Sequence, residues 1–170
     1  MRYAQIRSMD VSNGEGIGVA LFVQGCHFHC RNCFNPETWD FSGGQAWTQE
    51  MREKLIFLAG RNFIKRVSFL GGEPMAAENC LEIISVMAEL KEKYPQKQIW
   101  LYSGYEWDYL IENRRGVVDF VDVAVLGRYV DELKDVGNRI TKWAGSTNQK
   151  VIDVQKSLSE HRIVLYKTKN

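Results

Sequence analysis

The chain has no apolar run approaching the roughly 20 residues a membrane-spanning helix needs. It has no surplus of either charge: 22 Lys and Arg stand against 21 Asp and Glu, a net +1. That balance argues against a nucleic-acid binder, which grips phosphates through a clear basic excess. The N-terminal stretch MRYAQIRSMDVSNGEG lacks the apolar core of a secretory signal, so a soluble cytoplasmic protein is expected. There is no internal repeat, no low-complexity tract and no linker rich in Pro, Gly or Ser. A length of 170 residues with 45% apolar composition then suits one folded domain over residues 1–170. Cysteine is scarce, with four in the chain, yet three of them crowd together: Cys26, Cys30 and Cys33.

Short apolar runs alternate with amphipathic stretches. Residues 19–24 (VALFVQ) read as a buried strand. Thr48 is placed to cap a helix reaching about Arg61, with Met51, Leu55, Leu58 and Ala59 on its inner face. Residues 67–70 form a second strand, ending at Gly71-Gly72. Between about Ala76 and Lys93 the residues Ile83, Met87 and Leu90 recur at helical spacing. Residues 99–102 make a third strand, 105–113 a short helix, and 121–126 a fourth strand. Residues 151–154 and 163–166 are weaker strand candidates. The alternation predicts an α/β fold: a mostly parallel sheet with helical crossovers. Such folds carry their chemistry at the C-terminal ends of strands. The cysteine loop, the turn from Gly71 to Pro74, Ser103-Gly104-Tyr105 and Gly127-Arg128 each follow a predicted strand, so all four are expected on one rim.

The cysteines are spaced C-x3-C-x2-C on a loop, close enough to hold a metal or cluster without help from the rest of the chain. A [4Fe–4S] cluster normally takes four Cys ligands. Three leave one iron open, and an open position marks a catalytic rather than a structural metal site. A zinc ion held by the three Cys with His27 or His29 is the plainer alternative, although structural zinc usually joins two separated ligand pairs. Cys80, inside the helical segment ENCLEII, reads as a small core residue.

C-x3-C-x2-C followed by L-G-G-E-P (Leu70 to Pro74) resembles the signature of the radical S-adenosylmethionine (SAM) superfamily. N-G-E-G from Asn13, Q-G-C before the loop, and Phe34-Asn35 with Trp39 after it are similar to the activases of glycyl-radical enzymes. Residues 127–135 (GRYVDELKD) and 145–153 (GSTNQKVID) look like the activases of anaerobic ribonucleotide reductase. The resemblance runs to about Leu158 and implies an incomplete (β/α) barrel. It implies a [4Fe–4S] cluster on Cys26, Cys30 and Cys33, with SAM chelating the fourth iron. An electron donor such as flavodoxin or ferredoxin reduces the cluster, and SAM is cleaved to a 5′-deoxyadenosyl radical. That radical takes hydrogen from a glycine Cα of the large catalytic subunit of anaerobic ribonucleotide reductase.

The same resemblance assigns the SAM contacts. Gly71 and Gly72 permit close backbone approach. Glu73 accepts from the SAM ammonium, Pro74 stiffens the turn, and Ser103 reaches the methionyl carboxylate or the ribose. Asn32, Cys33 and Phe34 face the adenine, because Arg31 stands where many members carry an aromatic residue. Leu126 stands where the reductase-activating family commonly has an acidic residue. Phe28 is a candidate shield for the cluster, and Asn148 and Gln149 are expected near the rim. Trp100 is core by its strand position, while Trp107 and Trp143 are candidates for exposure. An activase of another glycyl-radical enzyme, a small-molecule radical SAM enzyme and a zinc-stabilised binding module remain as alternatives.

Overall fold

The computed structural model describes residues 1–134 and 142–168. Strand β1 (Arg2–Asp10) turns back antiparallel into β2 (Gly18–Val23), and the two-residue β3 (Gln45–Ala46) pairs with the outer edge of β1. Helix α1 (Gln49–Ala59) is capped by Thr48, whose hydroxyl accepts from the Met51 amide at 3.3 Å. Then come β4 (Arg66–Gly71), α2 (Cys80–Lys93), β5 (Gln98–Ser103), the short α3 (Trp107–Asn113) and α4 (Arg115–Val118), and β6 (Val123–Leu126). A long connection leads to β7 (Lys150–Asp153) and α5 (Val154–Glu160).

The seven strands form one open sheet in the order β3-β1-β2-β4-β5-β6-β7. The four central strands β2, β4, β5 and β6 run parallel, and β7 closes the far edge antiparallel to β6. Strands β2 and β6 are buried at every position, as parallel strands covered on both faces should be. Leu55, Ile56 and Ala59 of α1 and Ile83, Val86, Met87 and Leu90 of α2 pack with Leu21, Val67, Phe69 and Leu101 into one core. The helical face read from sequence is therefore the one that is buried.

Several boundaries differ from those the pattern predicts. Helix α2 begins at Cys80 rather than near Ala76, because residues 75–79 form turns tied to neighbouring loops. Asn79 donates from Nδ2 to the carbonyls of Gln24 (3.0 Å) and Glu73 (3.1 Å). Residues 163–166 are not a strand: Leu165 makes a single isolated bridge to Ile152. The β7 strand stops at Asp153, whose carboxylate caps α5 through the Lys156 amide at 3.1 Å. Strands β1 and β3 and helix α5 lie outside the predicted elements.

Beneath the β1–β2 connection sits a buried ion pair, Arg66 to Asp10 at 2.7 Å, with the two side chains 0% and 2% exposed. Arg66 also donates to Ser68 Oγ (2.6 Å), and Ser68 donates to the Asn13 carbonyl (2.6 Å). Asp10 accepts from the Asn13 amide (2.9 Å) and from Asn13 Nδ2 (2.7 Å). Burial works to raise the Asp10 pKa, but the bonds from Arg66 and Asn13 outweigh it and hold the carboxyl below its usual range. This network fixes the connection between β1 and β2 against the sheet.

Candidate active site

A cavity of about 670 Å³ opens over the C-terminal ends of the central strands. Its lining includes Cys26, Cys30 and Cys33, together with Gly71, Gly72, Glu73, Ser103 and Gly127. The four loops expected on one rim are thus brought to one space.

The cysteine loop is pinned where it leaves β2. The Gly25 amide donates to the Thr38 carbonyl (2.8 Å) and the Cys26 amide to the Trp39 carbonyl (3.0 Å). Within it, His29 and Asn32 adopt left-handed backbone, at φ 45° and 53°. Such conformations are costly for residues with a Cβ and concentrate where a site demands them. The loop alternates: Cys26, Phe28 and Cys30 line the cavity, while His27, His29 and Arg31 are exposed on its other side. His27 packs on Phe41 (4.4 Å between ring centres) and faces Glu78 (3.1 Å); His29 stacks on Trp39 (4.7 Å). Neither imidazole lines the cavity with the thiols.

The Gly71–Glu73 turn is packed against this loop. The Gly72 amide donates to the Val23 carbonyl (2.9 Å) and the Glu73 amide to the Gly25 carbonyl (2.8 Å). Gly71 has φ +100°, and a Cβ there would meet Phe22 Cα at 2.8 Å. A Cβ on Gly72 would meet the Gly25 carbonyl oxygen at 2.4 Å. What these glycines admit in the structure is the protein's own backbone.

The comparisons with known proteins bear on the same residues. Residues 12–152 match the family model of the 4Fe-4S single cluster domain. The chain is 37% identical over 151 residues to the anaerobic ribonucleoside-triphosphate reductase-activating protein of Vibrio cholerae, covering 88% of this chain and 96% of that protein. Its counterpart in Salmonella typhimurium is 37% identical over 153 residues (89% and 97% covered), and that of Escherichia coli K12 is 36% identical over 153 residues (89% and 97%). The chain belongs to the anaerobic ribonucleoside-triphosphate reductase-activating protein family.

The residues fit the cluster that the family model describes. Cys26, Cys30 and Cys33 are unbridged, half-buried and share one cavity. Among the described residues no three His, Cys, Asp or Glu side chains converge on a point where a single ion would sit. A four-iron cluster spreads its thiolate ligands over separate corners and does not need that convergence. Burial pushes the Cys26 thiol pKa up.

Glu73 is a buried tie between two strand ends. Its Oε1 accepts from the Met75 amide (2.8 Å) and from Ser103 Oγ (2.8 Å), and Oε2 accepts from the Gly104 amide (2.8 Å). Ser103 Oγ in turn accepts from the Tyr105 amide at 3.2 Å. Pro74 is buried behind Glu73 and does not line the cavity. Burial raises the Glu73 pKa to about 7, against the pull of its hydrogen bonds. The folded chain then holds this proton more tightly than the unfolded chain does. The contribution of Glu73 to stability is therefore largest below the unfolded pKa of 4.5 and falls as pH rises towards about 7. Glu73→Gln is expected to remove that slope. Urea unfolding of the cluster-free protein at about pH 5 and about pH 7.5 measures it, and identical pH dependence in both proteins would refute the assignment.

A strap following β6 crosses the cysteine loop; the sequence analysis placed Gly127-Arg128 on the rim but not these contacts. Arg128 donates to the Phe28 carbonyl (3.0 Å), Asn32 Nδ2 to Asp131 (2.6 Å), and Arg31 pairs with Glu132 (3.3 Å). Phe34 lies against the Tyr129 ring (5.0 Å between centres), lines the cavity and is 59% exposed. Asn32 is exposed and outside the cavity lining. The contacts come from the polar residues of GRYVDEL; residues 135–141 of that neighbourhood lie outside the described residues. Gln149 lines the cavity and clamps the strap's root: Nε2 donates to the Gly127 carbonyl (2.7 Å), and Oε1 accepts from the Gly145 amide (2.8 Å). Asn148 donates to the Arg128 carbonyl (2.9 Å). Leu126 is buried in β6 beside Ser103. Sequence reasoning also missed Tyr102, which lines the cavity with a buried hydroxyl that meets no partner among the described residues. Trp100 is core, Trp107 packs half-buried on the core, and Trp143 lines the cavity.

Proposed function

We propose that this chain is a cytoplasmic radical SAM enzyme, one domain over residues 1–170, that activates anaerobic ribonucleotide reductase. The carrying observation is that the three cysteines and the Gly71–Glu73 turn line one cavity, in a chain of the reductase-activating family. Cys26, Cys30 and Cys33 would hold a [4Fe–4S] cluster, three thiolates that leave SAM a place beside it. Bound there and reduced by a donor such as flavodoxin or ferredoxin, the cluster would supply the electron for reductive cleavage of SAM to a 5′-deoxyadenosyl radical, the chemistry that would place the glycyl radical on the large catalytic subunit.

The chain's own residues do the positioning. Cys33, Phe34, Gly71, Gly72, Glu73 and Ser103 bound the cavity and are the SAM-binding set, with Asn32 and Pro74 supporting it from outside the lining. Glu73 holds the β4 and β5 ends at fixed separation, so the ammonium and carboxylate of SAM meet preset backbone groups. Phe28 lies edge-on to Tyr105 (4.9 Å between ring centres) with the Arg128 guanidinium over its face (5.3 Å). This packing excludes water beside the thiolates, and such burial sets cluster potential. The open sheet, with parallel strands delivering loops to one rim, supports reading the fold as the partial barrel of the radical SAM type. No helix among the described residues is long and apolar enough to cross a membrane.

The test is electron paramagnetic resonance of the anaerobically rebuilt, reduced protein at low temperature. A [4Fe–4S] signal that changes shape on adding SAM is expected. A protein that takes up zinc instead, or a cluster signal indifferent to SAM, would overturn the proposal.

A further inference from the structure

Beyond residue 152, where the family match ends, the chain doubles back onto the sheet. The Asp153 amide donates to the Val164 carbonyl (2.9 Å) and the Tyr166 amide to the Val151 carbonyl (2.8 Å). These bonds carry Tyr166 to a place where it meets two cavity walls at once. Its hydroxyl donates to Glu15 Oε2 at 2.6 Å, in the connection between β1 and β2 whose residues Val11, Ser12 and Asn13 line the cavity. Its ring stands edge-on to Trp100 (5.3 Å between centres) and tilted against Trp143 (6.1 Å), and Trp143 lines the cavity from the opposite direction in sequence.

We propose that this C-terminal tail, acting through Tyr166, is a positioning element of the reaction cavity. It fixes the β1–β2 connection to the Trp143 wall and so presets the cavity for its ligands. Three observations support this. The bond spans almost the whole chain, joining residue 15 to residue 166. It pairs a phenol with a carboxylate, a charge-assisted bond of the stronger kind. The Arg66–Asp10 pair holds one end of the β1–β2 connection, at Asp10 and Asn13, the Lys65 amide holds the other at the Ile17 carbonyl (2.8 Å), and Tyr166 tethers the stretch between them at Glu15. A wall tethered at both ends loses less freedom when a ligand closes on it, which raises affinity without touching the chemical step.

The inference rests on the proposed function, because the ligands used to test it are SAM and the large reductase subunit. Tyr166→Phe keeps the ring packing and deletes only the hydroxyl. Glu15→Gln keeps an acceptor oxygen for it. Dissociation constants for SAM and for the reductase subunit are measured on the full chain with its cluster oxidised, so that no turnover occurs, alongside melting temperatures. Tyr166→Phe is expected to weaken at least one of the two ligands about fivefold, with little change in melting temperature, and Glu15→Gln to retain most of the affinity. Wild-type affinity for both ligands in Tyr166→Phe overturns the tail's role alone. Weakened affinity accompanied by a matching fall in melting temperature also overturns it, since the tyrosine is then a general prop. Wild-type protein that binds neither ligand overturns the proposed function and this inference with it.

Discussion

Cys30→Ala is expected to purify without its iron–sulfur cluster and to release no 5′-deoxyadenosine from SAM. Besides the three cysteines, no Cys or His among the described residues lines the cavity. His27 and His29 are turned to the outer side of the loop and engaged by Phe41, Glu78 and Trp39. Cys80 is 7% exposed at the start of α2, packed in the core and absent from the cavity lining. With two thiolates left, the proposed cluster would have too few anchors. Iron and sulfide analysis after anaerobic reconstitution reads the result directly: about four of each in the parent protein, as a filled cluster requires, and close to none in the variant. Cys80→Ala serves as the contrast and keeps its iron. Cleavage of SAM by Cys30→Ala would refute the ligand assignment, and loss of iron from Cys80→Ala would add a fourth ligand and close the open iron.

Gly72→Ala is expected to be nearly as damaging, for a reason the motif alone does not reveal. The resemblance assigns this glycine to close approach by SAM. In the structure the added methyl meets the Gly25 carbonyl oxygen at 2.4 Å and the Thr38 carbonyl oxygen at 3.0 Å. Both are main-chain atoms of the segments that pin the cysteine loop, and the Gly25 carbonyl is also the acceptor for the Glu73 amide. No rotamer relieves that overlap, so either the Gly71–Glu73 turn or the cysteine loop moves. Forced overpacking of this kind costs about 1–3 kcal/mol, and here the displacement falls on the loop that carries the three cysteines. Reconstituted Gly72→Ala should hold clearly less iron than the parent and melt at a lower temperature. Full iron content with only SAM affinity reduced would return the glycine to the role the motif suggests.

The site was more legible than its supports. In the candidate site, Cys26, Cys30 and Cys33 stand out because their spacing is local, and β2, the strand before them, is buried at every position. The central strands and the inner faces of α1 and α2 follow from the same local patterning. Strand β1 did not, because of its nine residues only Tyr3 and Asp10 are buried and no period-two alternation survives. The reverse error at residues 163–166 has the same root: an apolar tetrad resembles a strand, yet Leu165 is 58% exposed and bridges at a single point. Tertiary partners were not legible at all. That Glu73 is spent on Ser103 and Gly104, that Gly72 yields to Gly25, and that Asn32 reaches Asp131 are facts of residues far apart in the chain.

The cavity is lined from Arg7 to Gln149, so its walls come from nearly the whole chain. During synthesis the cysteine loop emerges early, while the strap, Trp143 and Gln149 that complete its surroundings are made only after most of the chain. Long-range closures of this sort form late, because the entropy of joining distant segments is paid before their contacts are gained. The nascent chain therefore exposes the three thiols before the segments that complete the cavity around them have been made.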